Sequence, residues 1–321
     1  MMIRKIVIGA AGATMALALM GAASAQEVTL KAGSFLPLNI NFGEPFKRFV
    51  DHVNAEGKGV VQIRVVGGPE AVPPFELGNA VKSGVLDMAA LPPAYYKGLM
   101  PEGDAAILTK MSFVEQRKSG AWAFLNQLHN EKVNAYYLAA YGDGVPFHLY
   151  LRKPISNLSE LKGLKLRSSP NYQAFFTALG ATTVVTPPGE VYTALERGVI
   201  DGYGWPLWGI QDQGWDKYTK MRVDPGFYNV TCNILINLTK WKSLSEAQRA
   251  FLTKMGTWLE DDFPKLAKER NAKEAEYQKK VGVEVKDFGP AFEKQANDIY
   301  WAELAKISPD NIAKLKKLLT K

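Results

Sequence analysis

Apolar and polar residues alternate from Val28 to Ser34, which predicts an opening β-strand that breaks at Phe35-Leu36-Pro37. Phe46, Phe49, Val50 and Val53 then recur at helical spacing, predicting a helix over 42–56 that stops at the glycines of 57–59. A β-branched run at 60–66 reads as a strand, 73–84 as a turn and helix, and 85–91 as a third strand halted by Pro92-Pro93. This strand, helix, strand, helix, strand order predicts a parallel sheet with right-handed crossovers. Helical spacing resumes over 114–131, and a further strand over 134–141 ends at Gly142-Asp143-Gly144.

A second α/β unit follows from about 147 to 223. A short basic strand at 163–167 ends in Arg167; a turn and helix lead to a strand through Val184-Val185. The turn at Pro187-Pro188 opens a helix carrying Glu190, Tyr192 and Leu195, and the block closes on Val199-Ile200-Asp201-Gly202. Residues 227–238 are strand-like. Residues 244–281 are mostly helical, interrupted or kinked at Pro264, with Ser245 and Gln248 spaced as a capping box. Some 35 helical residues would reach roughly 50 Å, more than one small domain needs, so this helix is expected to lie across two. Gly282 can end it; a short strand over 283–288 and helices from Phe292 complete the chain. The expected fold is an α/β, two-lobed clamshell with one long helix spanning both lobes. Ligands in open α/β sheets bind beyond the carboxyl ends of the strands, here where the lobes face each other.

The stretch 151–206, LRKPISNLSELKGLKLRSSPNYQAFFTALGATTVVTPPGEVYTALERGVIDGYGWP, resembles the extracytoplasmic solute-binding proteins of TRAP transporters, the DctP-like family of periplasmic C4-dicarboxylate and organic-acid receptors. Its likeness lies in the lysine-rich strand ending in arginine, the Ala-Leu-Gly-Ala turn and the Gly-Val-Ile-Asp-Gly close. The run Gly84-Val85-Leu86-Asp87-Met88-Ala89 supports it more weakly. The resemblance implies a periplasmic-binding-protein clamshell with lobe one at 26–145 and about 233–270, and lobe two at 146–232 and about 271–321. It implies hinges near 142–145 and 229–233. It also implies a receptor, not an enzyme, that delivers a small carboxylate to small and large integral membrane subunits.

Composition is that of an ordinary folded protein, with 47% hydrophobic and 22% charged residues. Arg4 and Lys5, the apolar run 6–20 and Ala23-Ser24-Ala25 form the three parts of a signal peptide over 1–25, so the mature chain is expected to start at Gln26, in the periplasm. No lipobox cysteine follows, and no later stretch is apolar enough to span a bilayer. Cys232 is the only cysteine, so no intramolecular disulfide can form, and its apolar neighbours predict a buried, inert thiol. The formal charge of +7 falls to +5 without Arg4 and Lys5. No basic and aromatic strip points to nucleic acid.

Within the resemblance, Arg167 aligns with the family's carboxylate-binding arginine. A guanidinium offers a planar donor fork that a lysine cannot supply. Trp205 and Trp208 are candidate cleft walls, or else core. Related keto-acid receptors place a glutamate that holds a metal before the first tryptophan; Gly204 stands there in this chain, so no metal and no cofactor is expected. Phe147 and His148 precede the arginine strand without the second arginine of sialic-acid receptors, which favours a less polar ligand with one carboxylate. His148 is a candidate donor or a structural histidine. Tyr95, in a turn with Pro92 and Tyr96, is a candidate lid over the ligand. Asn229 and Asn233, at the second crossing, are candidates for a ligand hydroxyl or keto oxygen. Phe35 and Phe75 are further wall candidates. Glu190 suits the first turn of its helix.

Catalytic patterns are missing. The sequence holds no G-x-S-x-G elbow and no glycine-rich phosphate loop, and His52, His129 and His148 are not spaced to share a metal. The alternatives left open are a receptor for another transporter or a sensor kinase, and an exported hydrolase. The favoured ligand is a small monocarboxylate with a hydroxy, keto or aryl substituent, with a sugar acid or dicarboxylate also open.

Overall fold

The computed structural model describes residues 26–40 and 42–320; the expected signal peptide lies outside them. The first sheet contains β1 (Val28–Ser34), β2 (Val61–Gly67), β3 (Met88–Leu91) and β4 (Ala135–Tyr141). The second contains β5 (Phe147–Leu151), β6 (Lys165–Ser168), β7 (Thr182–Val185), β8 (Gly202–Pro206) and β9 (Met221–Asp224). The chain then returns to the first sheet as β10 (Cys232–Asn237) and to the second as β11 (Glu284–Asp287). Strand orders are β2-β1-β3-β10-β4 and β11-β9-β5-β8-β6-β7.

β1 pairs in parallel with both β2 and β3, as the alternating order predicts. β10 changes the picture by entering between β3 and β4, antiparallel to both, so the sheet is mixed. All six residues of β10 are buried, which explains its continuous apolar run. The expected strand at 227–238 is therefore only its second half; residues 227–231 serve as a crossing.

Helices α1 (Gly43–Glu56), α2 (Leu77–Ser83), α3 (Phe113–Ser119) and α4 (Ala121–Leu128) belong with the first sheet. The single helix expected over 114–131 is broken at Gly120, whose φ of 85° turns the chain between α3 and α4. Helices α5 (Gln173–Ala178) and α6 (Pro188–Glu196) serve the second sheet, and α7 (Leu238–Ser243) follows β10.

The two aspartate motifs prove to be the same corner built twice. Asp87 accepts the backbone N–H of Lys31 through its carboxylate at 2.8 Å and returns its own N–H to the Lys31 carbonyl at 3.0 Å. Asp201 does the same with Lys165, at 2.8 and 2.7 Å. In each corner a positive-φ glycine, Gly84 or Gly198, ends the helix, and a buried Leu86 or Ile200 anchors the turn. Each corner thereby fixes the start of the strand that follows the aspartate, β3 or β8, against its parallel neighbour, β1 or β6.

α8 (Glu246–Lys280) runs unbroken through Pro264, and Ser245 and Gln248 form the expected capping box. Its first half packs on β4: Glu260 accepts from the Ala140 N–H at 3.1 Å and pairs with Arg117 at 2.5 Å. Its last turns belong to the other sheet, where Gln278 donates to the Leu207 carbonyl at 2.8 Å and Tyr277 to Asp216 at 2.7 Å. Midway, Asn271 donates to the Gly144 carbonyl at 2.8 Å. The other two crossings, 142–146 and 225–231, are bonded together: Val230 donates to the Val145 carbonyl at 2.9 Å, and Phe147 to that of Tyr228 at 2.9 Å.

The expected assignment of all of 271–321 to lobe two needs correction. β11 pairs with β9, but α10 (Pro309–Leu319) lies on α3, α4 and the 3₁₀ segment Pro101–Leu108, all beside the first sheet. The reason is polar as well as apolar. The buried carboxylate of Glu102 gathers Ser308 (2.6 Å), Asn311 (2.9 Å) and Lys132 (2.5 Å). Between them, α9 (Pro290–Ile307) touches both that segment and α5.

Candidate ligand-binding site

A narrow cavity of about 40 Å³ lies between the sheets, smaller than an occupied small-molecule site, so a ligand needs its walls to part. Its walls come from the ends of elements. Phe35 follows β1, Pro92 to Tyr95 follow β3, Ser169 and Asn171 follow β6, and Trp205 and Pro206 end β8. These are carboxyl ends of strands in both lobes, as the general rule for open α/β sheets requires. Phe147 opens β5 and Cys232 opens β10; both strands run antiparallel, so their starts face the same space. Phe42, Asp104, Ile107, Tyr172, Val230 and Thr231 complete the enclosure.

Most of this lining is aromatic or aliphatic. Phe147 meets Tyr172 edge-on with centroids 5.3 Å apart, and Phe35 meets Tyr95 edge-on at 5.8 Å. Burial keeps the hydroxyls neutral: it pushes Tyr95 up to about 12 against the opposing pull of Arg167, and Tyr172 well above the usual range. The Cys232 thiol is buried and pushed up in the same way, the inert state expected of it, although it forms part of the wall.

Arg167 stands one layer behind this surface and is wholly buried. Its Nε donates to the Thr186 carbonyl at 2.9 Å and its Nη1 to the Gly204 carbonyl at 3.0 Å, while Nη2 has no partner. The guanidinium carbon lies 5.5 Å from the centroid of the Trp205 ring, and the Tyr95 hydroxyl lies within its reach. Two backbone carbonyls thus fix the fork and leave its Nη2 group without a partner.

Gly204 is held to glycine by packing. A Cβ there would stand 2.8 Å from Tyr172 and 3.0 Å from Phe176. No carboxylate side chain fits at this position, and among the described residues no group of three or more His, Cys, Asp or Glu comes together to hold a metal ion.

The family model for bacterial extracellular solute-binding protein, family 7, DctP, matches residues 33–308. The chain belongs to this family. A monocarboxylate 2-oxoacid-binding periplasmic protein of Nostoc sp. is 28% identical over 206 residues, covering 61% of this chain and 56% of that protein. The C4-dicarboxylate-binding periplasmic protein DctP of Rhodobacter capsulatus is 25% identical over 294 residues, covering 88% and 87%. The crystal structure of DctP7, a Bordetella pertussis extracytoplasmic solute receptor binding pyroglutamic acid, superposes with a TM-score of 0.80 at 19% identity, over 91% of this chain and 99% of that one. The clamshell is thus the family 7 fold, and the family is one of solute-binding proteins, not enzymes. No helix among the described residues is long and apolar enough to cross a membrane.

Of the residues singled out from the family 7 resemblance, the cavity brings together Tyr95, Phe147 and Trp205, with Arg167 behind the last. Apart from Phe35, the others lie elsewhere. Trp208 is fully buried at the lobe junction, its Nε1 donating to Asn271 at 2.6 Å. His148 faces away because neighbours on a strand alternate; its Nδ1 stands 3.0 Å from the Val223 carbonyl and 2.9 Å from the Asp224 carboxylate. Burial opposes the charge on Asp224, but His148 and Arg222 together hold its carboxyl well below the usual range. Asn229 donates to the Thr109 carbonyl at 2.7 Å outside the cavity, and Asn233 to the Tyr96 hydroxyl at 2.5 Å behind it. Phe35 is a wall; Phe75 stacks edge-on against Tyr95 at 4.6 Å and lines a separate hollow. Glu190 is exposed in the first turn of α6.

Sequence reasoning passed over Phe42, Asp104 and the Ser169-Pro170-Asn171-Tyr172 turn. One signal was available: Asp104 is an acid beside an apolar run, Ala105-Ala106-Ile107-Leu108, whose burial a solvated loop would not need.

Proposed function

We propose that this protein is the periplasmic solute receptor of a TRAP transporter, and that it takes a small organic acid whose carboxylate docks on Arg167. The observation that carries this reading is the buried guanidinium with Nη2 unpartnered, held by two backbone carbonyls at the edge of the inter-lobe cavity. A buried cationic donor without a partner costs free energy unless an anion meets it. The relatives' names support the same class, because a 2-oxoacid, a C4-dicarboxylate and pyroglutamic acid are all carboxylic acids. On this reading Tyr95 and Trp205 shift to admit the carboxylate, and apolar rings from both lobes cover the rest of the molecule. Contacts from both lobes exist only in the closed form, so ligand favours closure. Small and large integral membrane subunits then receive the closed receptor.

Calorimetry at pH 7.5 with 2-oxo monocarboxylates, C4-dicarboxylates and pyroglutamate tests the reading, with the corresponding carboxamides as controls. At least one acid is expected to bind, its amide at least a hundredfold more weakly, and Arg167→Lys to lose most of that affinity. Equal binding of acid and amide, or an unaffected Arg167→Lys variant, would overturn it.

A further inference from the structure

The cavity wall itself holds an unsatisfied charged group, opposite in sign to the Arg167 behind it. Asp104 forms part of its wall and is wholly buried. Its Oδ2 accepts from the Tyr300 hydroxyl of α9, whereas Oδ1 has no partner. Its wall neighbours Pro93 and Ile107 are apolar. Lys97, whose charge acts on it, lies over the Tyr300 ring, 5.1 Å from its centroid. A buried carboxylate oxygen without a donor is as costly as a buried donor without an acceptor.

We propose that Asp104 is a specificity-determining residue, and that the ligand is an acid carrying a hydrogen-bond donor, N–H or O–H, that Asp104 Oδ1 accepts. The inference rests on the carboxylate reading above and narrows it: a plain keto or alkyl acid leaves Oδ1 unsatisfied, and a dicarboxylate brings a second anion toward it. Asp104 belongs to the Pro101–Leu108 segment of lobe one, and Arg167 to β6 of lobe two. A ligand engaging both therefore spans the cleft through one charge-assisted contact on each side. Burial raises the Asp104 carboxyl to about 6, with Tyr300 and Lys97 pulling the other way, so it is mostly ionised and an acceptor at pH 7.5.

The discriminating step is a comparison of matched acids by calorimetry at pH 7.5: lactate with propionate, and pyroglutamate with cyclopentanecarboxylate. In the wild-type protein the donor-bearing member of at least one pair is expected to bind tenfold or more tightly than its partner. Asp104→Asn should collapse that ratio below threefold. Where Tyr300 donates to the amide oxygen, an NH₂ faces the ligand in place of an acceptor; Asp104→Leu removes the acceptor in either amide orientation and should collapse the ratio as well. The wild-type comparison needs no variant to fold, and Tyr300→Phe, which leaves the carboxylate in place, should retain the preference. Equal wild-type affinities within each pair, or an undiminished ratio in Asp104→Asn, overturns the role of Asp104 while leaving the Arg167 reading intact. If none of the four acids binds, the proposal falls; if no other carboxylate binds either, the receptor reading falls with it.

Discussion

The indole of Trp208 lies flat on the ring of Phe42, centroids 5.0 Å apart and planes 2° from parallel. Phe42 leads into α1 beside the first sheet, whereas Trp208 follows β8 of the second, so the stack joins the lobes. The Arg270 guanidinium covers the indole at 4.8 Å and pairs with Glu44 of α1 at 2.7 Å and with Asp212 at 3.2 Å. Trp208→Ala is expected to cost about 3–5 kcal/mol of stability by the usual scale for large aromatic deletions. It should also weaken ligand binding without altering any cavity wall except Phe42. Small-angle scattering should show a larger mean radius for the unliganded variant; an unchanged radius would separate the stack from closure.

Arg167→Ala tests structure as well as binding. The guanidinium satisfies the carbonyls of Thr186 and Gly204 in the buried interior. Truncation leaves both unsatisfied, at about 1–3 kcal/mol for each group, offset in part by removal of a buried charge. A lower melting temperature in thermal denaturation is expected, together with loss of binding. An unshifted melt would mean that water replaces both donors.

Gly204→Ala should act on two adjoining rings. Its Cβ would press on Tyr172 at 2.8 Å and Phe176 at 3.0 Å, and overpacking of this kind costs about 1–3 kcal/mol. Gly189→Ala in α6 is the control, because nothing lies within 4 Å of its added Cβ and alanine favours the helix. Differential scanning calorimetry should place the two variants on opposite sides of the wild type, or at least separate them by several degrees.

Asp143 gives a pH dependence of definite sign. Burial raises its carboxyl to about 6, with Glu260 adding to the rise against two backbone N–H groups, and Oδ1 has no partner. A folded value above the unfolded one means that stability is greatest below about 4 and declines as pH rises through 6. The shift amounts to something on the order of 3 kcal/mol at neutral pH. Asp143→Asn should therefore raise the melting temperature at pH 7.5 and change it little at pH 4. Equal gains at both values would point to packing instead of ionisation.

The extent of the legible fold follows from how local each signal is. β1 runs from Val28 to Ser34, as its alternation predicts, and the Ser245–Gln248 box marks the start of α8, because strand periodicity and capping are decided within a few residues. Short strands such as β5 and β9 do not stand out from their surroundings, since four or five residues are too few to establish a period. The insertion of β10 between β3 and β4 depends on contacts roughly 90 to 150 residues apart, which no window along the chain contains. Among site residues the motif led to Arg167 and Trp205, but it could not say that Trp208 faces the lobe junction, or that His148 is spent on Asp224.

The amino-acid sequence by itself determined the two α/β units, the long capped helix and the kinship with family 7, because each is written in periodicity, capping residues or a contiguous motif. Tertiary structure alone decided which polar groups remain unsatisfied. Hydrogen bonds to Thr186, Gly204 and Tyr300 occupy all but one atom each of Arg167 and Asp104. That remainder depends on where distant backbone carbonyls and a C-terminal helix come to rest, and it is what gives the cavity its chemistry.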